Sequence, residues 1–191
     1  MFKRTNQENI EIEGDNNKVI AGDDHSTTNI IKSSNSKLAS LFEKLKEKFE
    51  NDDKITETSD NLKRYTNRRD TIGLEQKLKD ADKSYLYLEF ALCKQEFHKK
   101  LLLYQNYEPA QEIFAFILAI VLEKSRNVIN PMIREQKPES EILGKISSEI
   151  TNPIMNLIES EGCNDIMGLS STEIEGMFHY LTGNCHINWK L

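Results

Sequence analysis

The side chains best suited to chemistry gather toward the end of this sequence: Cys163, His179, Cys185 and His186. Cysteine and histidine at short spacing are zinc ligands by type. In an extended tail, however, the adjacent Cys185 and His186 point to opposite faces, so a single ion would not take both. The reading adopted is therefore no metal, with Cys185 buried and His186 hydrogen-bonded as part of packing. Cys185 with His179 as its base is the one nucleophile pair on offer. Such a pair needs a base within reach and an orienting group, and the tail holds no glycine-rich oxyanion site beyond Gly183. His98 stands among Lys94, Lys99 and Lys100 on a long helix, where solvation is the expectation, and His25 carries no signal. Lys63-Arg64 and Arg68-Arg69, with Tyr65 between, form the one basic cluster. A helix face of this kind can touch phosphates, but Glu57, Asp60 and Asp70 flank it, so a solvated helix is the stronger reading and nucleic-acid contact stays open.

No phosphate loop, dinucleotide-binding turn, zinc-protease helix or nucleophile elbow occurs, and eight glycines are few for a nucleotide-cradling fold. The expectation is a protein without cofactor or catalytic site. The 191 residues suit one compact core plus an appendage. With 25 Lys+Arg against 31 Asp+Glu, the net charge of −6 argues against a uniformly basic surface for nucleic acid. Three cysteines, an odd number at wide spacing without a C-x-x-C pair, suggest neither a disulfide framework nor a zinc ribbon. They fit a reducing, cytoplasmic compartment, and the polar start Met1-Phe2-Lys3-Arg4-Thr5-Asn6 does not resemble a secretion signal. The longest apolar run, Ile113 to Leu122, is bracketed by Glu112 and Glu123 and falls well short of the roughly 18–20 residues that span a bilayer. It predicts the most buried helix of a domain that makes no membrane contact.

Three segments must position these groups: a β-segment and linker over 1–35, an amphipathic helix and connector over 36–72, and a helical bundle over 73–191. The fold class expected is mainly α, a bundle of about five to seven helices carrying a small N-terminal β-hairpin. Ile10 and Ile12 alternate, Gly14-Asp15-Asn16-Asn17 turns the chain, and Val19 and Ile20 follow, with a third short strand at Thr27 to Ile31. An isolated hairpin is marginal in water. The favoured reading makes Ile10, Ile12, Asn16, Val19 and Ile20 a homo-oligomerisation element, set against a tail with only a transient hairpin.

Ser36 is placed to cap a helix whose Leu38, Leu41, Phe42, Leu45 and Phe49 recur on one face. That stripe suits a coiled-coil or bundle contact, and Leu38, Leu41, Phe42 and Leu45 are assigned to self-association. Asn51 to Asp70 reads as a loop plus a short helix anchored by Leu62 and Tyr65. Ser84 to Gln105, free of glycine and proline, predicts one long helix, and Pro109 begins the next. Asn130-Pro131 and Lys137-Pro138 punctuate the chain, and Pro153 kinks or restarts a helix that begins near Glu139. Ser170-Ser171-Thr172-Glu173 has capping-box spacing for a helix over about 171–182, after which Gly183 supplies a left-handed stop. Trp189 is expected to fold back over Phe178 and Leu181.

The run from Leu169 to Trp189, and most specifically Gly176-Met177-Phe178-His179-Tyr180-Leu181-Thr182-Gly183-Asn184-Cys185-His186-Ile187-Asn188-Trp189, resembles the helical C-terminal domains of ABC-three-component systems. These are bacterial anti-phage systems related to Lamassu. The resemblance covers roughly residues 75–191. It implies a setting in which an SMC-like ABC ATPase works with a small middle component and an effector, and the helical domain links effector to the rest. On it, Met177, Tyr180, Leu181, Gly183, Cys185, His186 and Trp189 form a signature for packing or partner contact. No nuclease or other catalytic domain precedes the unit in this sequence, so the resemblance implies a stand-alone adaptor or regulator, binding proteins of the same locus, rather than the killing component. The competing reading is a small effector with a metal site at His179 and Cys185, or a nucleic-acid binder using Arg64, Arg68 and Arg69.

Overall fold

The computed structural model describes residues 36–67, 72–162 and 166–190. The β-segment expected at Ile10, Ile12, Asn16, Val19 and Ile20 lies outside them, as do Arg68, Arg69 and Cys163. Asn35–Leu191 is one compact unit, and it is mainly helical, with no strand among the described residues.

Helix α1 (Lys37–Glu50) starts where Ser36 stops it from fraying: the Ala39 N–H donates to the Ser36 hydroxyl oxygen at 3.1 Å. Its stripe is already occupied. Leu38, Phe42 and Leu45 are fully buried and Leu41 partly so, with α1 lying against α5 (Glu108–Lys124) and α8 (Asn152–Glu161). The assignment of these four residues to a seam with a second chain is thereby corrected. A one-sided stripe does not specify its partner, and α5, apolar on most sides, offers the same chain an equally good surface. Helix α2 (Asp60–Thr66) buries Leu62 and Tyr65, also on α5, so the stretch treated as a connector shares the core of the bundle. The loop between α1 and α2 is held by a buried amide. Gln111 accepts from the Ser59 N–H at 2.6 Å and donates to the carbonyls of Glu57 and Gln105, at 3.0 and 2.5 Å.

The Asn130-Pro131 pair does not end a helix, contrary to the sequence expectation. Helix α5 runs through a π-helical turn (Ser125–Ile129) directly into α6 (Asn130–Arg134). After the break at Gln136–Pro138, α7 (Glu139–Ile146) runs through a second π turn (Ser147–Thr151) into α8. The cause is the same in both. Proline has no N–H to donate, and its ring collides with the carbonyl four residues back. In each case the asparagine before the proline bonds five residues back, Asn130 N–H to Ser125 O and Asn152 N–H to Ser147 O, and the wider turn admits the ring without stopping the helix.

Helix α3 (Leu74–Asp80) and a single 3₁₀ turn (Ser84–Leu86) lead into α4 (Tyr87–Tyr104), which makes the most extensive helix–helix contact of the molecule with α9 (Ser171–Gly183). Among the described residues no helix is long and apolar enough to cross a membrane.

Candidate functional site

Helix α9 is fixed at its start by a full capping box. The Ser170 N–H donates to the Glu173 carboxylate at 2.8 Å, and the Thr172 N–H donates to the Ser170 hydroxyl at 3.2 Å. With the start set, Gly176 falls where α9 crosses α4. A Cβ at this position would stand 2.1 Å from the Cys93 carbonyl oxygen and 2.9 Å from the Phe97 Cβ, so only glycine allows the two backbones this close. The approach lets Phe97 pack edge-on to Tyr180 at 5.1 Å, and it stacks Phe90 on His179 at 3.7 Å between ring centroids.

His179 is wholly buried. Burial pushes its pKa below the usual imidazole value, opposed by the Glu175 carboxylate, whose Oε1 lies 3.6 Å from Nε2. It is a neutral aromatic plate in the core rather than a base facing solvent. Cys185 contacts other groups: its thiol donates to the Ile72 carbonyl at 3.6 Å and stands beside the Lys77 ammonium. The pair considered for nucleophilic chemistry is not assembled, and no group of three His, Cys, Asp or Glu that could hold a metal occurs among the described residues.

The left-handed residue that ends α9 is Cys185, with φ of 65°, and not Gly183, which is the last helical residue. The bonding shows why. The Cys185 N–H donates to Thr182 O at 3.2 Å and the His186 N–H to Leu181 O at 2.9 Å, the pair of a Schellman motif whose left-handed position is residue 185. A Cβ at Gly183 would come within 2.7 Å of the Lys94 Nζ, the mobile end of a long side chain, so the close contact here does not by itself demand glycine.

Lys77, which the sequence did not single out, ties this end together. The residue is 8 % exposed, and its ammonium donates to the carbonyls of Thr182 and Ile187, both at 2.8 Å, joining α3 to the last turn of α9 and to the tail. A cation at a helix C-terminus also meets the negative end of the helix dipole. Burial lowers its pKa, an effect countered by the Cys185 thiol. The Asn184 side chain donates to Tyr65 O at 3.1 Å, so α2 is clamped to the same end. His186 lies with its ring 6.1 Å from that of Tyr65. Trp189 is 3 % exposed, edge-on to Phe178 at 6.2 Å and tilted against Phe90 at 5.5 Å.

Of the signature residues, Met177, Tyr180, Leu181 and Trp189 are interior, while Gly183, Cys185 and His186 are half-buried at the α9 terminus. One of them, Tyr180, reaches a cleft of about 720 Å³ between α3, α4 and α9, lined also by Leu74, Tyr87, Lys94, Gln95 and His98 among others. His98, read from sequence as merely solvated, lies parallel to Tyr180 at its wall, 6.1 Å between centroids. Arg64 is exposed on α2, and Arg68 and Arg69 lie outside the described residues.

Residues 73–189, from just before α3 to Trp189, match the family model for C-terminal domain 9 of the ABC-three component systems (CTD9). The chain belongs to this family. No curated protein and no solved structure matches it. The CTD9 unit thus takes in the glycine crossing, the Lys77 clamp and most of the cleft wall, while α1 and α2 lie ahead of the matched span and pack on its α5. Gly176, present in the sequence signature without a stated reason, was the detectable signal. A glycine in mid-helix costs about 1 kcal/mol relative to alanine and calls for a packing reason.

Proposed function

We propose that this component of an ABC-three component system is a non-enzymatic adaptor of anti-phage defence. In this reading it holds proteins of its own locus, such as an SMC-like ABC ATPase or an effector, through the CTD9 unit, and it self-associates through residues 9–31. The observation that carries the reading is the extent of the family match, which takes in α3, α4 and α9, the three helices that supply most of the cleft wall, with Thr66 of α2 the one lining residue ahead of it. The buried signature residues hold that cleft in shape, and the cationic and aromatic groups at its wall, Lys94, His98 and Tyr87, supply a surface a partner can read. Regulation follows if the partner's resting and activated states bind with different affinity.

Co-expression of the chain with the ATPase and effector encoded beside it tests the proposal. A complex that survives purification and is weakened by His98→Glu combined with Tyr87→Ala is the expected result. Failure to form a complex with either protein, with and without ATP and DNA, would sink it. For self-association, light scattering of the full chain and of a chain starting at Ser36 should give different masses; equal masses remove residues 9–31 from the proposal.

A further inference from the structure

Helix α4 has two apolar faces. At about 100° per residue, Phe90, Phe97, Leu101 and Tyr104 lie on one side of the helix, and Leu88, Leu92, Leu102 and Leu103 lie on the other. The first set is buried against α9 and the core. The second is open, with exposures of 75 %, 61 %, 52 % and 59 %. Exposed apolar side chains scattered singly need no explanation, but four leucines on one face of one helix form a patch of the kind that marks an interface. Tyr85, 69 % exposed, extends it at the N-terminal end.

The order of groups along this face selects its occupant. Leu88 and Leu92 stand at one end with Glu89 beside them, and Leu102 and Leu103 stand at the other with Lys99 beside them. The uncharged, exposed Gln95 lies at the middle. The pattern is complementary to itself when reversed. Two copies laid antiparallel about an axis near Gln95 bring Leu88 of one onto Leu102 and Leu103 of the other. The same register sets Glu89 near Lys99 of the second copy, and this contact occurs twice by symmetry. A parallel arrangement would face Glu89 with Glu89 and Lys99 with Lys99. The leucine-bearing stretch runs about 22 Å along the helix, which suits a helix pair.

We infer that the outer face of α4 is a self-association surface on which a second copy of this chain docks antiparallel, leucine to leucine, with Glu89 beside Lys99 of its partner. The leucines and charges of this contact are not among the residues that line the cleft, although Gln95 borders both, and the inference holds whether the protein is an adaptor or an effector.

Sedimentation velocity of the full chain over a concentration series tests it, with circular dichroism to confirm that each variant is folded. Leu92→Gln together with Leu103→Gln should shift the dissociation constant of the α4 contact at least tenfold toward the smaller species. Glu89→Lys and Lys99→Glu should each weaken association, whereas the chain carrying both exchanges should recover it. Lys99 also pairs with its own Glu96, at 2.6 Å on an exposed surface, so the single exchange is compared with Glu96→Gln, which should leave association unchanged. A parent chain that is monomeric at every concentration overturns the inference, and so does a mass that ignores all α4 variants. Single and double charge exchanges that weaken association equally would overturn the antiparallel register. Loss of binding to a locus-encoded protein, in a chain that never self-associates, would assign the face to that protein instead.

Discussion

On its inner side α4 offers Phe90, Phe97, Leu101 and Tyr104 to the core, and on its outer side it offers Leu88, Leu92, Leu102 and Leu103 to solvent. Apolar character does not separate the two sides. What separates them is the shape of the surface opposite. The inner side meets a helix that carries glycine where the backbones cross and a tryptophan folded back from the tail, whereas among the described residues no element brings a matching surface to the outer side. Burial here depends on a close-fitting counterpart, and the outer side is apolar without one.

Removing parts of the counterpart should therefore be costly, and altering the outer side should not be. The largest loss is expected for Trp189→Ala. It deletes the ring that rests on both Phe90 and Phe178, at about 3–5 kcal/mol by the usual cost of a buried aromatic, measured by urea unfolding. Gly176→Ala should follow at about 3 kcal/mol, the upper part of the overpacking range, because the added methyl meets the Cys93 carbonyl and main chain gives way less readily than a side chain. A Gly176→Ala chain as stable as the parent would show that α9 can slide on α4 and that the contact is not shape-limited.

A smaller, pH-dependent effect belongs to the same inner side. Burial lowers the pKa of His179 below its unfolded value of 6.5, so the unfolded chain binds the proton more readily. The resulting stability is fully present above about pH 6.5 and is lost as the pH falls below it toward the depressed folded value. His179→Phe, which keeps a ring on Phe90, should flatten that part of the stability–pH curve; an unchanged slope would show that folding leaves the imidazole pKa where it is in the unfolded chain. The smallest effect is reserved for the outer side, where Leu92→Gln should change unfolding free energy by no more than about 0.5 kcal/mol. Its consequence should appear in the sedimentation experiment instead.

The sequence made the starts of helices more legible than their faces. Ser36, Pro109 and the Ser170–Glu173 box each act through groups within a few residues, so type and spacing suffice to read them. The stripe Leu38–Leu45 was legible as a stripe, but its partner, α5, is some 70 residues away in the chain and left no local mark. The same holds for Lys77, whose acceptors Thr182 and Ile187 are more than 100 residues distant. On α4 the residues of both faces are leucines and aromatics, and nothing in their order says which set meets α9. The cleft was beyond reach for a like reason, since Leu74, His98 and Tyr180 come to it from three helices.

The two π turns also determine how long a straight row of side chains can remain inside the molecule. Ile142, Ile146, Ile150, Ile154 and Ile158 recur at every fourth place, and all five are buried. On a regular α-helix, a step of four residues overshoots one revolution by about 40°, so a row of five would wind about 160° around the rod and carry its last members out to water. The wider turn at Ser147–Thr151 takes up more chain per revolution and winds the row back. Ile154 and Ile158 thus return to the side on which Ile142 and Ile146 began. The same compensation operates along Val121, Ser125, Ile129 and Ile133, also spaced by four and also buried. The prolines that force these turns therefore set the rotational phase of α6 and α8, much as an inserted tooth resets the timing of a gear.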